Sequence, residues 1–232
     1  MLRNDTLTHR TLPVTSELYG YLLAQGRMTS DPLLAELIER TQQVVPEQAH
    51  MSVAPEEGAL LTFLVRLLGA VQLVEIGTFT GYSSLCLARG LPPGGSLITC
   101  DVSADWTELA REFWIRDGVA DRIELRLGPA LDTLRALPAE PHLDLAFIDA
   151  NKPGYIGYWE ELVPRMRPGA LLLVDNTLFN GEVIDEHPGE KAAAIRAFNE
   201  HARQDDRVDL VMLPVADGLT MARCRPLEEI PA

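Results

Sequence analysis

The sequence predicts an α/β fold: a doubly wound, mostly parallel seven-stranded sheet with one antiparallel strand, preceded by N-terminal helices. Three observations carry that expectation. From residue 71 onward, apolar runs of strand length alternate with helical patterns, as in a parallel sheet covered on both faces. Polar residues gather where those runs end, at Glu75, Asp101, Asp149 and Asp175-Asn176, the rim on which open α/β sheets bind ligands. The last two runs are separated only by Pro214-Val-Ala-Asp-Gly218, close enough to pair antiparallel and close the sheet.

Before the sheet, residues 14–25, 31–45 and 55–68 carry three helical patterns, punctuated by Gly26 and Gly69. The second opens with Asp31 as N-cap and Pro32 at the first helical position, where a missing N–H is harmless. Strands are expected over 71–76, 96–101, 122–127, 143–149 and 170–175, with helices near 81–89, 104–117, 130–137 and 155–166 between them. A helix over 192–204 then precedes strands at 208–213 and 219–223. No repeat, low-complexity segment or linker interrupts the chain, so residues 1–232 read as one domain in which 1–69 is a helical appendage on a core of 70–225.

With 232 residues, 47% of them hydrophobic, the chain can bury a substantial core. Its formal charge of −14 repels a phosphate backbone, and no Lys/Arg-rich run offers a basic footprint, which argues against nucleic acid as a partner. No apolar run approaches the roughly 18 residues of a membrane span, and no basic stretch leads into an apolar one at the start, so a soluble, cytoplasmic protein without a membrane partner is expected. Cys86, Cys100 and Cys224 are odd in number and lie in or beside apolar segments, which reads as reduced, mostly buried thiols.

The stretch Leu73-Val-Glu75-Ile-Gly77-Thr-Phe-Thr-Gly81-Tyr-Ser83 reads as an apolar strand, a glycine turn and a helix start, and Thr99-Cys100-Asp101 ends the next strand on an acid. The glycines let backbone pass close to a ligand, the helix start offers free N–H groups, and a carboxylate at Asp101 suits ribose hydroxyls. A dinucleotide fingerprint needs G-x-G-x-x-G, whereas Glu75 takes the place of its first glycine. An acid there suits a cationic ligand and gives no cradle for pyrophosphate, which points to S-adenosylmethionine (SAM), with its sulfonium and free amine.

Further along the same rim stand Asp149-Ala-Asn151-Lys152 and Asp175-Asn176. On neighbouring strands, Asp149, Asp175 and Asn176 present hard oxygen ligands that suit Mg²⁺ or another divalent cation better than Zn²⁺, since no Cys or His joins them. Individually each also reads as a cap or turn residue. Lys152, three residues past a metal-ligand candidate, is a candidate for deprotonating or steadying a substrate hydroxyl, against the plain alternative of a solvated surface lysine. Phe179 either walls an aromatic substrate, with Tyr155 or the N-terminal helices, or simply packs.

Taken together these residues resemble the cation-dependent SAM O-methyltransferases of the caffeoyl-CoA and catechol type. The resemblance spans about residues 18–223 and rests on His50-Met51-Ser-Val-Ala-Pro55-Glu56, Val74 to Ser83, Gly128-Pro129-Ala130, Phe147 to Tyr155, Val174 to Gly181 and Leu213 to Gly218. It implies the fold common to that class of methyltransferase, with 70–225 as the SAM-binding core. It also implies that Met51, Glu75, Gly77, Ser83, Asp101, Ala130 and Asp149 contact SAM, that Asp149, Asp175 and Asn176 hold the cation, and that Lys152 is the general base. The implied activity is methyl transfer to a hydroxyl of a small catechol-type aromatic in the tailoring of a metabolite, by a homodimer. Two positions depart from the family's usual pattern, Asn151 where aspartate is common and Phe179 where tryptophan is common. A caffeoyl-CoA thioester as acceptor, a non-catalytic SAM-binding protein, a metal-independent methyltransferase and an NAD-dependent oxidoreductase are the rival readings; the missing glycine fingerprint weighs against the last.

Overall fold

The computed structural model describes residues 12–27 and 29–229, so the first residues of the N-terminal appendage and the last three of the chain lie outside the described residues. Helix α1 (Ser16–Gln25) starts where the Thr15 hydroxyl accepts from the Leu18 N–H at 3.3 Å. Helix α2 (Pro32–Val44) starts where Asp31 accepts from the Leu34 N–H at 3.0 Å, with Pro32 at its first position as expected. Helix α3 (Pro55–Leu68) carries Glu56 and Glu57 in its first turn, where negative charge meets the positive end of the helix dipole.

The sheet contains β1 (Gln72–Ile76), β2 (Ser96–Asp101), β3 (Ile123–Leu127), β4 (Leu143–Ile148), β5 (Met166–Val174), β6 (Val208–Leu213) and β7 (Leu219–Cys224), in the order β3-β2-β1-β4-β5-β7-β6. Strands β1 to β5 pair parallel, and β7 runs antiparallel to both of its neighbours, as the short turn before it requires. The connecting helices are α4 (Tyr82–Gly90), α5 (Ala104–Asp117), α6 (Ala130–Ala136), α7 (Tyr155–Leu162) and α8 (Glu190–Arg203).

Two boundaries differ from the sequence reading. The helix expected over 155–166 ends at Leu162, because Pro164 supplies no N–H to the ladder and Val163–Arg165 tightens into a 3₁₀ turn. The fifth strand accordingly begins at Met166, ahead of the expected 170, with a register shift against β4 where it crosses Pro168-Gly169.

Alternation along the strands divides the core into two layers. On one face Leu73, Leu97, Leu145 and Phe147 meet Leu34 and Leu37 of α2, Leu61 and Val65 of α3, Leu85 of α4 and Phe113 of α5. On the other, Val74, Ile76, Ala146, Ile148, Leu172 and Val174 meet Leu134 of α6, Trp159 of α7 and Phe198 of α8. Helices α2 and α3 thus share a core with the sheet, each fully buried leucine contributing roughly 1.5–3 kcal/mol, whereas α1 buries no residue. Cys86, Cys100 and Cys224 are free and buried. Among the described residues no helix is long and apolar enough to cross a membrane.

Chain order reverses between β1 and β4, and this switch point opens a crevice at the carboxyl ends of the strands. Asp144 on β4 fixes the two strands relative to each other, one carboxylate oxygen accepting from the N–H groups of Val71 and Gln72 at 2.8 and 2.9 Å while Arg167 holds the other at 2.7 Å. At the crevice itself the backbones come so close that a Cβ on Gly77, whose φ is +102°, would stand 1.9 Å from the Asp149 carbonyl oxygen. Gly77→Ala must therefore either separate β1 from β4 or break the turn. Urea unfolding should show a loss of about 3 kcal/mol or more; a loss below about 1 kcal/mol would show that the two loops are not locked together.

Candidate active site

Strand register places Glu75 of β1 opposite Thr99 of β2 and Phe147 of β4, with its side chain fully buried. One carboxylate oxygen accepts from the Thr99 hydroxyl at 2.5 Å, which in turn accepts from Thr78 at 2.5 Å; the other has no hydrogen-bond partner. Burial pushes the Glu75 carboxyl up to about 8, against the opposing pull of the Ser83 and Thr99 hydroxyls. A buried acid with one orphaned oxygen is a group waiting for a donor or a cation.

Gly77 follows β1, and the chain then turns beneath Asp101. One Asp101 oxygen accepts from the N–H groups of Thr78 and Phe79 at 3.0 and 2.7 Å, and the other accepts from Ser103 at 2.8 Å. Three backbone donors fix the carboxylate, and the oxygen that takes only Ser103 keeps acceptor capacity for a ligand hydroxyl. Gly81 precedes α4 without capping its first turn by a side chain, so the amides beside the buried Ser83 stand at an uncapped helix N-terminus. Trp106 meets Phe79 edge to face at 5.2 Å on the outer side of this turn, adding an aromatic wall beside Asp101. Met51 lies half-exposed at the end of the 3₁₀ turn Ala49–Met51, and Ala130 is the buried first residue of α6.

The second half of the rim is built on β4 and β5. Asp149 follows β4, its N–H donating to the Ile76 carbonyl at 2.8 Å, and Asp175 follows β5, its N–H donating to the Ile148 carbonyl at 3.0 Å. Extending the ladder by one residue on each strand brings the two carboxylates to the same edge. Lys152, carried on the 3₁₀ turn Lys152–Gly154, reaches back between them, so it is no solvated surface lysine: its side chain is 12% exposed. Its Nζ donates to Asp149 Oδ1 at 3.1 Å, to the Tyr155 hydroxyl at 2.6 Å and to Asn176 Oδ1 at 2.5 Å. Asn176 adopts a left-handed φ of +59° that turns its amide into this cluster. Tyr155 is fully buried, its ring edge-on to Phe198 at 5.5 Å, and its hydroxyl donates to the Asp175 carbonyl at 3.2 Å. Its ring face also meets the site, with Lys152 Nζ 4.9 Å from the ring centroid. Phe179 is half-buried and opens the turn Phe179–Ile184 with a left-handed φ of +45°.

Sequence reasoning missed Glu57. It is fully buried in the first turn of α3, both of its oxygens lack hydrogen-bond partners, and burial together with the Asp175 and Asp149 carboxylates pushes its carboxyl well above the usual range. Asp175 is pushed up likewise by burial and by Asp149. In the sequence, Pro55-Glu56-Glu57 reads as ordinary dipole-compensating acid at a helix start, and only the packing of α3 over the crevice turns one of the pair inward. Among the described residues no group of three or more His, Cys, Asp or Glu side chains is arranged to hold a metal ion, and the oxygen set at this rim depends on the amide of Asn176.

Comparison with known proteins gives this geometry its family. A family described as O-methyltransferase matches residues 25–225. Caffeoyl-CoA O-methyltransferase 2 of Zea mays is 35% identical over 234 residues, covering 95% of this chain and 88% of its own. Catechol O-methyltransferase domain-containing protein 1 of Mus musculus is 37% identical over 214 residues, covering 90% of this chain and 80% of its own. Among solved structures, an O-methyltransferase from Bacillus cereus in complex with SAH superposes with a TM-score of 0.80 at 33% identity, over 88% of this chain and 96% of that one. With the uncapped helix start, the acid at Asp101 and the orphaned Glu75 in place, the chain belongs to the SAM-dependent O-methyltransferases of the caffeoyl-CoA and catechol type.

Proposed function

We propose that the enzyme methylates a hydroxyl of a small catechol-type aromatic with the help of a divalent cation, in the tailoring of an aromatic metabolite. The observation that carries this reading is that Lys152 Nζ bridges Asp149 and Asn176 at the ends of β4 and β5, with the Asp175 carboxyl near enough to Asp149 to be pushed up by it. The donor set fits Mg²⁺ or a similar hard cation, because it is all oxygen and because the mutual repulsion of Asp149, Asp175 and Glu57 is relieved by positive charge. Such a cation would supply a template and a Lewis acid for two vicinal oxygens. SAM would supply an activated methyl on a positively charged sulfur.

The chain's own residues do the rest. Glu75 offers its unpartnered oxygen to the positive amine end of SAM, Gly77 lets backbone run close beside it, and Ser83 with the uncapped start of α4 meets its carboxylate. Asp101 would hold the ribose, Ala130 would lie by the adenine, Met51 would belong to the cofactor-contacting segment, and Asp149 would serve both cofactor and cation. Asp149 and the Tyr155 hydroxyl hold Lys152 Nζ at the rim; once the ammonium has released one proton to solvent, the neutral amine would receive the proton leaving the attacking hydroxyl. Phe179 walls the ring, a smaller and more adaptable surface than tryptophan.

The decisive test incubates the protein with SAM and free catechols, single-hydroxyl phenols or caffeoyl-CoA, with Mg²⁺ or EDTA, and follows methylated product by mass spectrometry. Free catechols should be methylated, EDTA should abolish turnover, and Lys152→Met should lower kcat by about 10²-fold or more while SAM still binds. Turnover insensitive to chelator would reduce Asp149, Asp175 and Asn176 to structural residues, and preference for caffeoyl-CoA would move the acceptor to the thioester class.

Glu75 gives a prediction with two opposed signs. Because burial holds its folded-state carboxyl near 8, above an ordinary value of 4.5, ionising it disfavours the cofactor-free fold progressively as pH rises through that interval. Glu75→Gln should thus match the parent near pH 4.5 and melt higher at pH 8, by roughly 2–4 °C for each kcal/mol released, yet bind SAM about tenfold more weakly or worse. Thermal melts across pH, with and without SAM, check both signs; equal melting at pH 8 would mean that Glu75 is solvated.

A homodimer is proposed on the exposure of one surface. Helix α1 buries nothing and exposes Tyr21 and Leu22, and α3 exposes Phe63 and Leu67 one turn apart on its outer side. Light scattering should give twice the chain's 25.6 kDa, and Phe63→Asp with Leu67→Asp should halve it. A single-chain mass for the unmodified protein would refute the assignment.

A further inference from the structure

A cavity of about 450 Å³ lies among α2, α3 and α4, away from the crevice, and four arginines, Arg27, Arg66, Arg89 and Arg122, line it. Helix α3 runs past both: Glu57 in its first turn faces the acids of the active site, Ala59 and Thr62 line the cavity, and Arg66 in its last turn carries a guanidinium into the lining roughly 13 Å beyond Glu57 at 1.5 Å per residue.

The four guanidinium groups are not equivalent. Arg89 is held between Asp31 at 3.0 Å and Asp117 at 2.5 Å, a paired and partly buried structural cation. Arg66 donates to the Arg89 carbonyl at 3.1 Å and Arg122 donates to the Leu91 carbonyl at 3.2 Å, so both close the C-terminal end of α4, where carbonyls lack partners and the dipole favours cations. Helix capping uses one N–H of the five that each guanidinium carries. Among the described residues neither Arg66, Arg122 nor Arg27 makes an ion pair with a carboxylate, although the chain as a whole carries a formal charge of −14. The one acid lining the cavity, Asp31, is engaged by Arg89 and by the start of α2. A solvated protein surface with 34 acids and 20 bases does not by default gather three unpaired arginines around one hollow.

We propose that this cavity is a second ligand site, for a small phosphate-bearing anion, separate from the site of methyl transfer. Its volume falls within the range of about 300–1,000 Å³ of small-molecule sites. Planar guanidinium forks match phosphate oxygens in pairs, and two or three of them facing one hollow suit a diphosphate better than a single carboxylate. Ser30 adds a hydroxyl at the exposed rim. The same chemistry is offered by inorganic pyrophosphate and by the diphosphate of a nucleotide or of coenzyme A, so the probes must include each.

The test titrates inorganic pyrophosphate, ADP and coenzyme A into the full-length protein by calorimetry at fixed ionic strength, beside Arg66→Ala with Arg122→Ala and beside Arg27→Ala. Saturable binding is expected to at least one probe, weakened about tenfold or more in the double variant, while the affinity for SAM, which reports the intact fold, stays at the parent value. Tighter binding of ADP or coenzyme A than of pyrophosphate would make the ligand a nucleotide diphosphate; the reverse would make it the free anion. Heat signals absent for all three probes, equal in parent and variants, or reproduced by matched sodium chloride would overturn the proposal.

Discussion

Carboxyl groups packed into the interior at one end of the sheet are the constraint around which the rest of this molecule is arranged. Glu57, Glu75, Asp149 and Asp175 lie at one end of the sheet, and burial, joined by the neighbouring carboxylates, raises the carboxyl of Glu57, Glu75 and Asp175. The ammonium of Lys152 is the cation that reaches the Asp149 and Asn176 oxygens. Such a cluster is unfavourable by itself, since each ionised carboxylate forfeits hydration that the protein only partly replaces. It is favourable toward positively charged ligands for the same reason. The fold tolerates the strain because the strands beneath are held by parallel ladders on both sides and by two apolar layers.

Much of the fold was legible because two periodicities alternate cleanly from residue 71 onward, and because each strand ends on a polar residue. The seven strands and the helices between them lie where the pattern placed them, and the reversed last strand follows from the shortness of 214–218. The misplaced boundary around Pro164 shows where pattern reading weakens: Val-Pro-Arg-Met-Arg-Pro-Gly continues the apolar rhythm of a helix, but its prolines supply no N–H to a helical ladder. The rim residues were legible because they stand next to strand ends. Glu57 was not, because its meaning depends on which way a distant helix is turned over the crevice, and a sequence window carries no such information. Trp106 is a similar case: it lies in the helical pattern of 104–117, and only the fold sets its ring against Phe79 of the turn after β1.

Membership of the caffeoyl-CoA and catechol O-methyltransferase type fixes the reaction class. At the rim, β1 and α4 carry Glu75 and the uncapped helix start, Asp149 and Asp175-Asn176 follow β4 and β5, and Lys152 joins Asp149 to Asn176. Asn151, where the family commonly has aspartate, receives the Tyr158 hydroxyl instead of adding one more charge to an already crowded site. That exchange lowers the local repulsion without removing any of the oxygens at the rim.

The loop after β5 is not independent of the far hairpin. The N–H groups of Thr177 and Leu178 donate to the Gly218 and Asp217 carbonyls at 2.9 Å each, and Asn180 donates to the Asp217 carboxylate at 2.6 Å. Gly218 lies so close that a Cβ there would stand 2.6 Å from the Leu178 nitrogen. The turn joining the last two strands is therefore a mould for the segment that carries Asn176 and Phe179. Lineages that lengthen or shorten that turn would reshape the segment after β5 without altering any residue of that segment, so grafting turns between relatives is a route to moving Asn176 and Phe179 while leaving their identities untouched.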